Sequence, residues 1–413
     1  MLVRLNEMHP DKCKITVAED IRSRKKAHDR IYLLFRERWP DIHNKFIQEA
    51  YKRALAMYNS YRQRLKKWRR GKLKHKPSPP KPKANNVLDL HIDTFRIIGR
   101  YGYRLLRLSY GGGRYIWFLI VEYEWASKHL SNGWEVKNSK IVVRNNEIFL
   151  HLSIARIVKT EKHENKLMID INERSIDCML YLPKQNKAFF FRIEHDIREI
   201  RLRYREMRRR AQKHIKNSDR NRILARYGAR ERARVEDRMK KLTTLLAKIA
   251  EHFNADLVRE DLVIERNKKT RNKQLNYRLS TFSHRKVIGN LDHKVLGAGL
   301  EVFRIDPRQT SQTCPKCGYF SRKNRKGDYF RCVRCGFQAR SHYVADINLL
   351  LRLNDGDGVR MTAEELSSLL RWVPPVVGTT APNEALIRID EVLRGKPESI
   401  ISKISEMFSL FIT

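Results

Sequence analysis

Four cysteines of this 413-residue chain stand in two CxxC pairs, Cys314-Pro-Lys-Cys317 and Cys332-Val-Arg-Cys335, with fourteen residues between the pairs. Two short turns that each deliver two thiolates supply the geometry of a tetrahedral zinc ion. Four sulfurs leave no position for water, so the spacing predicts one structural zinc rather than a catalytic one. Disulfides and free thiols are the competing readings. The sequence opens without a signal-peptide pattern, and the remaining cysteines, Cys13 and Cys178, fit no disulfide framework. Chemistry must therefore come from elsewhere. Eleven residues past Cys335 lies an acid, Asp346, in Val-Ala-Asp-Ile-Asn.

Two further acids share its apolar setting. Asp170 interrupts the run Met168, Ile169, Ile171, where an unpaired carboxylate is costly to bury and calls for a cation. Glu260 ends the apolar stretch Ala255 to Val258, with Asp256, Asp261 and Glu265 as neighbouring choices if the register slips. For each acid taken singly, an ion pair with one of the many arginines is the plainer explanation. Taken together, Asp170, Glu260 and Asp346 form a hard oxygen set that suits magnesium or manganese. Two such ions about 3.5 to 4 Å apart hydrolyse phosphodiesters. In that reading Asp170 bridges both ions, and Glu260 and Asp346 each complete one side.

The elements that must position these acids follow from periodicity. Ile21 to Trp68 reads as helix, with Ile47, Tyr51, Ala54, Tyr58, Tyr61, Leu65 and Trp68 on one packing stripe, and a basic Pro-rich linker follows to residue 86. Segments 87–165 alternate with period two around Gly111-Gly-Gly113 and Arg144-Asn-Asn146, as expected of a small β-barrel. Residues 1–20 are expected to begin this β-domain. From Lys166 come three short strands in a meander, then two basic helices within 194–253, then strands near Asp256 to Ile264 and Leu300 to Ile305. The fold class is α+β and multidomain. The order matches a ribonuclease H-like domain over 166–310, with the knuckle at 311–340, a last segment at 341–355, and a tail, 356–413, of unassigned role.

Charge names the partner class. With 87 Lys plus Arg against 46 Asp plus Glu, the net charge of +41 opposes compaction unless a polyanion neutralises it. No apolar run approaches the roughly 20 residues of a membrane span, so nucleic acid is the expected partner and the membrane is not. Opposite the apolar stripes of the helix pair lie Arg201, Arg205, Arg208, Arg209, Arg234 and Arg238, with Arg203, Arg210, Arg230 and Arg232 nearby, all read as phosphate contacts.

These residues resemble the TnpB family of RNA-guided nucleases from insertion sequences and its relatives, the compact type V CRISPR effectors. Asp306-Pro-Arg-Gln-Thr-Ser-Gln-Thr-Cys-Pro-Lys-Cys-Gly318 resembles the family's approach to its zinc knuckle. Met168-Ile-Asp-Ile171, Val258-Arg-Glu-Asp-Leu262 and Ala345-Asp-Ile-Asn348 resemble the segments carrying its three acids. The match covers Lys166 to about Leu353; before it, the helices and β-domain agree in architecture with a recognition element and a wedge barrel. Two departures stand out. Leu349-Leu-Leu351 replaces the small residues usual after the third acid, and Asn172-Glu-Arg174 lacks the glycine common after the first. A register anchored on Asn348 puts His342 in place of Asp346, leaving both open. The resemblance implies a guide RNA, a target DNA strand paired with it, a short flanking motif read by the protein, and a cytoplasmic, nucleoid-associated location. Loss of cleavage with retained DNA binding is the alternative function, and a guide-independent nuclease the next.

Overall fold

The computed structural model describes residues 11–80, 87–100, 103–121, 127, 130, 133–144, 147–215, 217–261, 276–277, 284–357, 361–374 and 384–409. Contact density divides the chain into two compact units, Met1–Ile157 and Val158–Thr413.

In the first unit the expected single helix is broken. Short helical turns run Arg24–Ala27, His28–Tyr32 and Leu33–Arg38, and helix α1 spans Asn44–Arg69. Pro40 lacks an amide donor and disfavours helical backbone at Trp39, which sits at φ −135° and ψ 71°. The start of the predicted stripe, Ile47, Tyr51, Ala54 and Tyr58, is buried. Ile31, Phe35, Ile47 and Tyr51 share one core with Leu90, Phe95, Leu106 and Ile141, so the helices belong to the β-domain rather than standing beside it.

Six strands follow: β1 Val87–Leu90, β2 Phe95–Arg100, β3 Tyr103–Gly111, β4 Arg114–Ile120, β5 Glu135–Arg144 and β6 Glu147–Ala155. Among the described residues they form two separate three-stranded sheets, β1-β5-β6 and β2-β3-β4, and no ladder closes them into the expected barrel. The β3–β4 hairpin turns on Gly112 and Gly113, at φ 56° and 73°, as a two-residue turn with both φ positive requires. Gly111 passes so close to the chain that a Cβ there would meet Asp41 O at 2.3 Å. The turn expected at Arg144-Asn-Asn146 lies partly outside the described residues, as do Lys81 to Lys83 of the linker.

The second unit is a six-stranded sheet between helices. Its strands are β7 Lys166–Ile171, β8 Ser175–Leu182, β9 Lys187–Glu194, β10 Asp256–Glu260, β11 Val302–Ile305 and, after a small three-stranded knuckle sheet (β12 Arg325–Lys326, β13 Tyr329–Arg331, β14 Gln338–Arg340), β15 Glu384–Ile387. The order is β11-β10-β7-β8-β9-β15. β7, β8 and β9 are an antiparallel meander, β10 runs parallel to β7 and β11 parallel to β10. Odd positions of β7, Leu167 and Ile169, pack with α2 (Ile197–His214), α3 (Asn217–His252) and α4 (His284–Gly297). Met168 on the opposite face packs with α5 (Ser341–Asp357) through Tyr343, Ile347 and Leu350. Ile193 ends β9's apolar run.

The tail is part of this core. β15 extends the sheet parallel to β9. Leu369 of α6 (Ala363–Arg371) joins Leu349 and Leu350 in the cluster on the α5 face. Val392 and Ile400, from α7 (Ile389–Arg394) and α8 (Pro397–Ser409), pack on the α3 face. The bulky Leu349 and Leu350 are thus fully buried between sheet and tail. The loop expected at Thr379 to Asn383 lies outside the described residues.

Candidate functional site

Strand pairing brings the first two acids to one face. The parallel register sets Asp256 opposite Lys166 and Arg259 opposite Ile169, so one further step puts Glu260 beside Asp170. On the other side Asp170 pairs with Asp177 of β8. Helix α5 crosses this face and carries His342 and Asp346 four residues apart, one turn along the same side. The two candidates for the third position are therefore neighbours on one helix face.

Their environments differ sharply. Asp346 is fully buried, and neither carboxylate oxygen has a hydrogen-bond partner. Burial, then the fields of Asp170, Asp177 and Glu260, push its pKa far above the usual carboxylate range. Glu260 is raised to about 7, mainly by burial, although the Thr310 hydroxyl donates to it at 2.6 Å. His342 Nδ1 donates to Asp170 Oδ2 at 2.7 Å and its Nε2 lies 3.2 Å from Asp328. Burial alone would lower the His342 pKa; the bond to Asp170 and the surrounding acids outweigh it and raise the pKa. A ring that meets carboxylates at both nitrogens serves best as a double donor, the imidazolium form.

Asp177 is the acid that sequence reasoning missed. It is fully buried but paired, with Arg192 Nε at 2.6 Å and Ser175 Oγ at 3.0 Å. Asn172 bridges it to Asp170, at 3.1 and 3.2 Å. Only the β7–β8 register could have revealed it, since an acid cross-strand from Asp170 is meaningless until the pairing is known. Of the fallback choices, Asp256 sits at the far end of β10 in a buried pair with Lys166 at 3.0 Å, and Asp261 lies just past the strand. Glu265 lies outside the described residues.

The cysteine cluster is already assembled. Among the described residues, Cys314, Cys317, Cys332 and Cys335 are the His, Cys, Asp or Glu set whose ligand atoms all lie within 4.8 Å of one another, an arrangement that could hold a metal ion. Cys314 and Cys335 sulfurs are 3.6 Å apart, as are those of Cys317 and Cys332, too far for disulfides and close to the edge of a tetrahedron with metal–sulfur bonds of about 2.3 Å. Each CxxC is followed by a glycine at positive φ, Gly318 and Gly336, whose amides bond back to Cys314 O and Cys332 O. Buried Asn324 ties the two turns together through Gln312 O, Tyr319 O and Val333 N.

The knuckle is fastened to α5 at two points. Ser341 N donates to Asp328 O at 2.8 Å, fixing the helix start. Asn348 donates to Thr310 O and Thr313 O at 2.6 and 2.8 Å, holding α5 against the segment that enters the knuckle. Asp346 lies between these ties.

Three of the arginines expected to contact phosphate also form ion pairs within the protein. Arg201 and Arg208 both bind the buried Glu231 across the α2–α3 pair, and Arg238 binds Asp196 at 2.9 Å. Arg205, Arg209 and Arg234 are exposed; Arg205 stacks on Tyr277 at 4.3 Å and Arg234 covers Tyr204 at 5.7 Å. No helix among the described residues is long and apolar enough to cross a membrane.

Against known proteins, TnpB-like protein MJ0012 of Methanocaldococcus jannaschii is 30% identical over 157 residues, which span 37% of this chain and 71% of that protein. The chain belongs to the TnpB-like family. A second TnpB-like protein of the same organism, MJ0751, is 26% identical over 242 residues, 56% of this chain and 85% of its own length. The Cas12f1-like TNB domain family matches residues 284–349 of this TnpB-like chain, from α4 through the knuckle into α5, and the Aq_aa04 family matches residues 3–92. CRISPR-associated endodeoxyribonuclease Cas12f1 of Sulfoacidibacillus thermotolerans is 40% identical over 60 residues, 14% of each chain.

Proposed function

We propose that this chain is an RNA-guided DNA endonuclease whose reaction is metal-dependent phosphodiester hydrolysis at Asp170, Glu260 and Asp346. The observation that carries the reading is Asp346: a fully buried carboxylate with both oxygens unpartnered, facing two other acids. Such a group is tolerable only if protonated or given a cation. Hard oxygens in this number fit magnesium or manganese, which would supply a nucleophilic water at neutral pH and neutralise charge on the scissile phosphate. Asp170, Glu260 and Asp346 would hold that cation as carboxylates, while His342 and Asn172 orient Asp170 through its Oδ2. The sheet order, with a meander followed by two parallel strands on its first-strand side, supports a RuvC-like, ribonuclease H-like domain. Zinc in the four-cysteine set would be structural.

The exposed arginines Arg205, Arg209 and Arg234, with the net charge of +41, support binding along phosphate backbones. Sequence choice would then reside in pairing between guide RNA and target DNA, with a short flanking motif read by the protein. The family membership and the endodeoxyribonuclease among the relatives support this assignment of partners.

The test combines isolation and mutation. Purification from the native locus should yield a defined RNA, and the complex should cut a matched DNA with magnesium, whereas Asp170→Ala should bind and not cut. A defined RNA with target binding but no cutting by the unaltered protein would favour the repressor-like alternative. Absence of any defined RNA would sink the guided reading.

A further inference from the structure

Two features set the acid segments of this chain apart: Asn172-Glu-Arg174 lacks the glycine common after the first acid of the resembled family, and His342 stands one helical turn before Asp346. The fold brings both onto one atom. His342 Nδ1 donates to Asp170 Oδ2 at 2.7 Å, Asn172 Nδ2 donates to the same oxygen at 3.2 Å, and the two nitrogens lie 3.2 Å apart. Both side chains are held from behind. His342 is 7% exposed, and its Nε2 lies 3.2 Å from Asp328, whose backbone carbonyl accepts from Ser341 N at the start of α5. Asn172 spends its second amide hydrogen on Asp177 Oδ2 at 3.1 Å, and its backbone N–H donates to Ser175 O at 2.8 Å.

The remaining carboxylate oxygens divide unevenly about Asp170. Towards β8, Asp177 accepts from Arg192 at Oδ1 and from Ser175 and Asn172 at Oδ2, so both of its oxygens are taken, as is Asp170 Oδ2. Towards β10, the Glu260 carboxylate accepts from Thr310 through Oε1 alone among the described residues, and Asp346 accepts from none of them. A cation and an N–H donor compete for the same lone pairs, and the positive end of the N–H dipole repels a cation whatever the charge of the ring. Two ions about 3.5 to 4 Å apart need a carboxylate that serves both. Asp170, the acid between the two sides, has one oxygen left.

We infer that Asn172 and His342 form a clamp that withdraws Asp170 Oδ2 from metal binding, so that the cluster holds one divalent ion, shared by Asp170, Glu260 and Asp346, and not two. Both clamp residues act through Asp170 and are positioning residues. A glycine in place of Asn172 would have no donor to give, which makes the clamp a property of this sequence. The inference rests on the metal reading of the three acids above but not on the guide RNA.

Manganese is the probe, because a lone ion gives a resolved hyperfine pattern in electron paramagnetic resonance, whereas two ions about 3.5 to 4 Å apart couple and broaden it. Full-length protein with its zinc in place is titrated with manganese, with and without a phosphorothioate DNA oligonucleotide that resists cutting. The Asp170→Ala, Asp346→Asn protein serves as the blank. The unaltered protein should hold one uncoupled ion above the blank in both conditions. Asn172→Gly combined with His342→Ala should hold two coupled ions, while His342→Asn, whose amide puts a donor back near the place of Nδ1, should hold one. Zinc content, measured alongside, shows whether each variant keeps the knuckle that braces α5. A coupled pair in the unaltered protein would overturn the inference, and so would a lone ion in the zinc-containing Asn172→Gly, His342→Ala protein. If that protein loses its zinc, Asn172→Gly alone frees one of the two donors and should raise the coupled fraction at the same manganese concentration; no rise overturns the clamp. Absence of manganese above the blank in every protein would sink the metal reading itself, a result distinct from a coupled pair.

Discussion

The cysteine knuckle and the carboxylate cluster beneath α5 present their ligand atoms in opposite states. The four sulfurs lie within 4.8 Å of one another, set by two copies of the same local turn. The acids arrive from β7, β10 and α5, and two of them are engaged by protein donors, Asp170 by His342 and Glu260 by Thr310. The difference follows from cost. Neutral thiols tolerate close approach, whereas carboxylates at short range repel one another unless protonated or neutralised. Asp177 and Asp346 repeat the contrast within the cluster. Both are fully buried, but Arg192 compensates the first and no described residue compensates the second.

The largest effect should come from dismantling the knuckle. Cys332→Ser with Cys335→Ser should remove bound zinc, measured as one ion per chain in the unaltered protein, and should also abolish target cutting, because Ser341 and Asn348 tie α5 to that segment. Retained cutting after zinc loss would show that the two sites are independent.

Asp346→Asn should reduce cutting at least a thousandfold while leaving the metal-free protein as stable as before or more so. Removing a buried, unpartnered charge site costs the fold little. Asp177→Asn is the control, since it strips Arg192 of its partner and should lower the melting temperature. A fall of several degrees for Asp346→Asn would make Asp346 an ordinary structural carboxylate.

A smaller effect is a pH dependence. Folded Glu260 holds its proton to about pH 7 against 4.5 ordinarily, so between those values the folded chain binds a proton that the unfolded chain has released. Stability of the metal-free protein then falls as pH rises through this window, and Asp346 acts in the same direction. Glu260→Gln should flatten that part of the melting profile, and added magnesium should flatten it in the unaltered protein. An identical profile in the Gln variant would mean that Glu260 is not held protonated.

The smallest effect separates the two kinds of arginine. Arg209→Ala, on an exposed side chain, should reduce the salt slope of duplex DNA binding by about 0.9 with no change in stability. Arg208→Ala should do the reverse, because it leaves Glu231 with one partner fewer inside the helix pair. Equal behaviour of the two variants would erase the distinction.

Much of the second unit was legible because its signals are local. Strands β7 to β9 fall within a residue or two of their apolar runs, and the α2 and α3 stripes at Ile197, Ile200, Tyr204, Val235, Met239 and Leu242 are buried as their spacing requires. β2 and the tail were not legible. Four-residue β15 has no pattern of its own until β9 gives it a parallel edge, and the leucines at 349–350 look misplaced until α6 covers them.

Sequence alone determined the knuckle, since a CxxC turn followed by glycine needs no distant partner, and it marked the apolar settings of Asp170, Glu260 and Asp346 but not that of Asp177. Tertiary structure alone decided how differently His342 and Asp346 are surrounded. One turn of α5 puts both against β7, where the histidine takes an oxygen of Asp170 and the aspartate stays buried without a donor. It also decided which arginines join buried ion pairs, because a pair such as Arg208 with Glu231 depends on how two helices pack, a contact between residues 23 positions apart that helical periodicity alone does not fix.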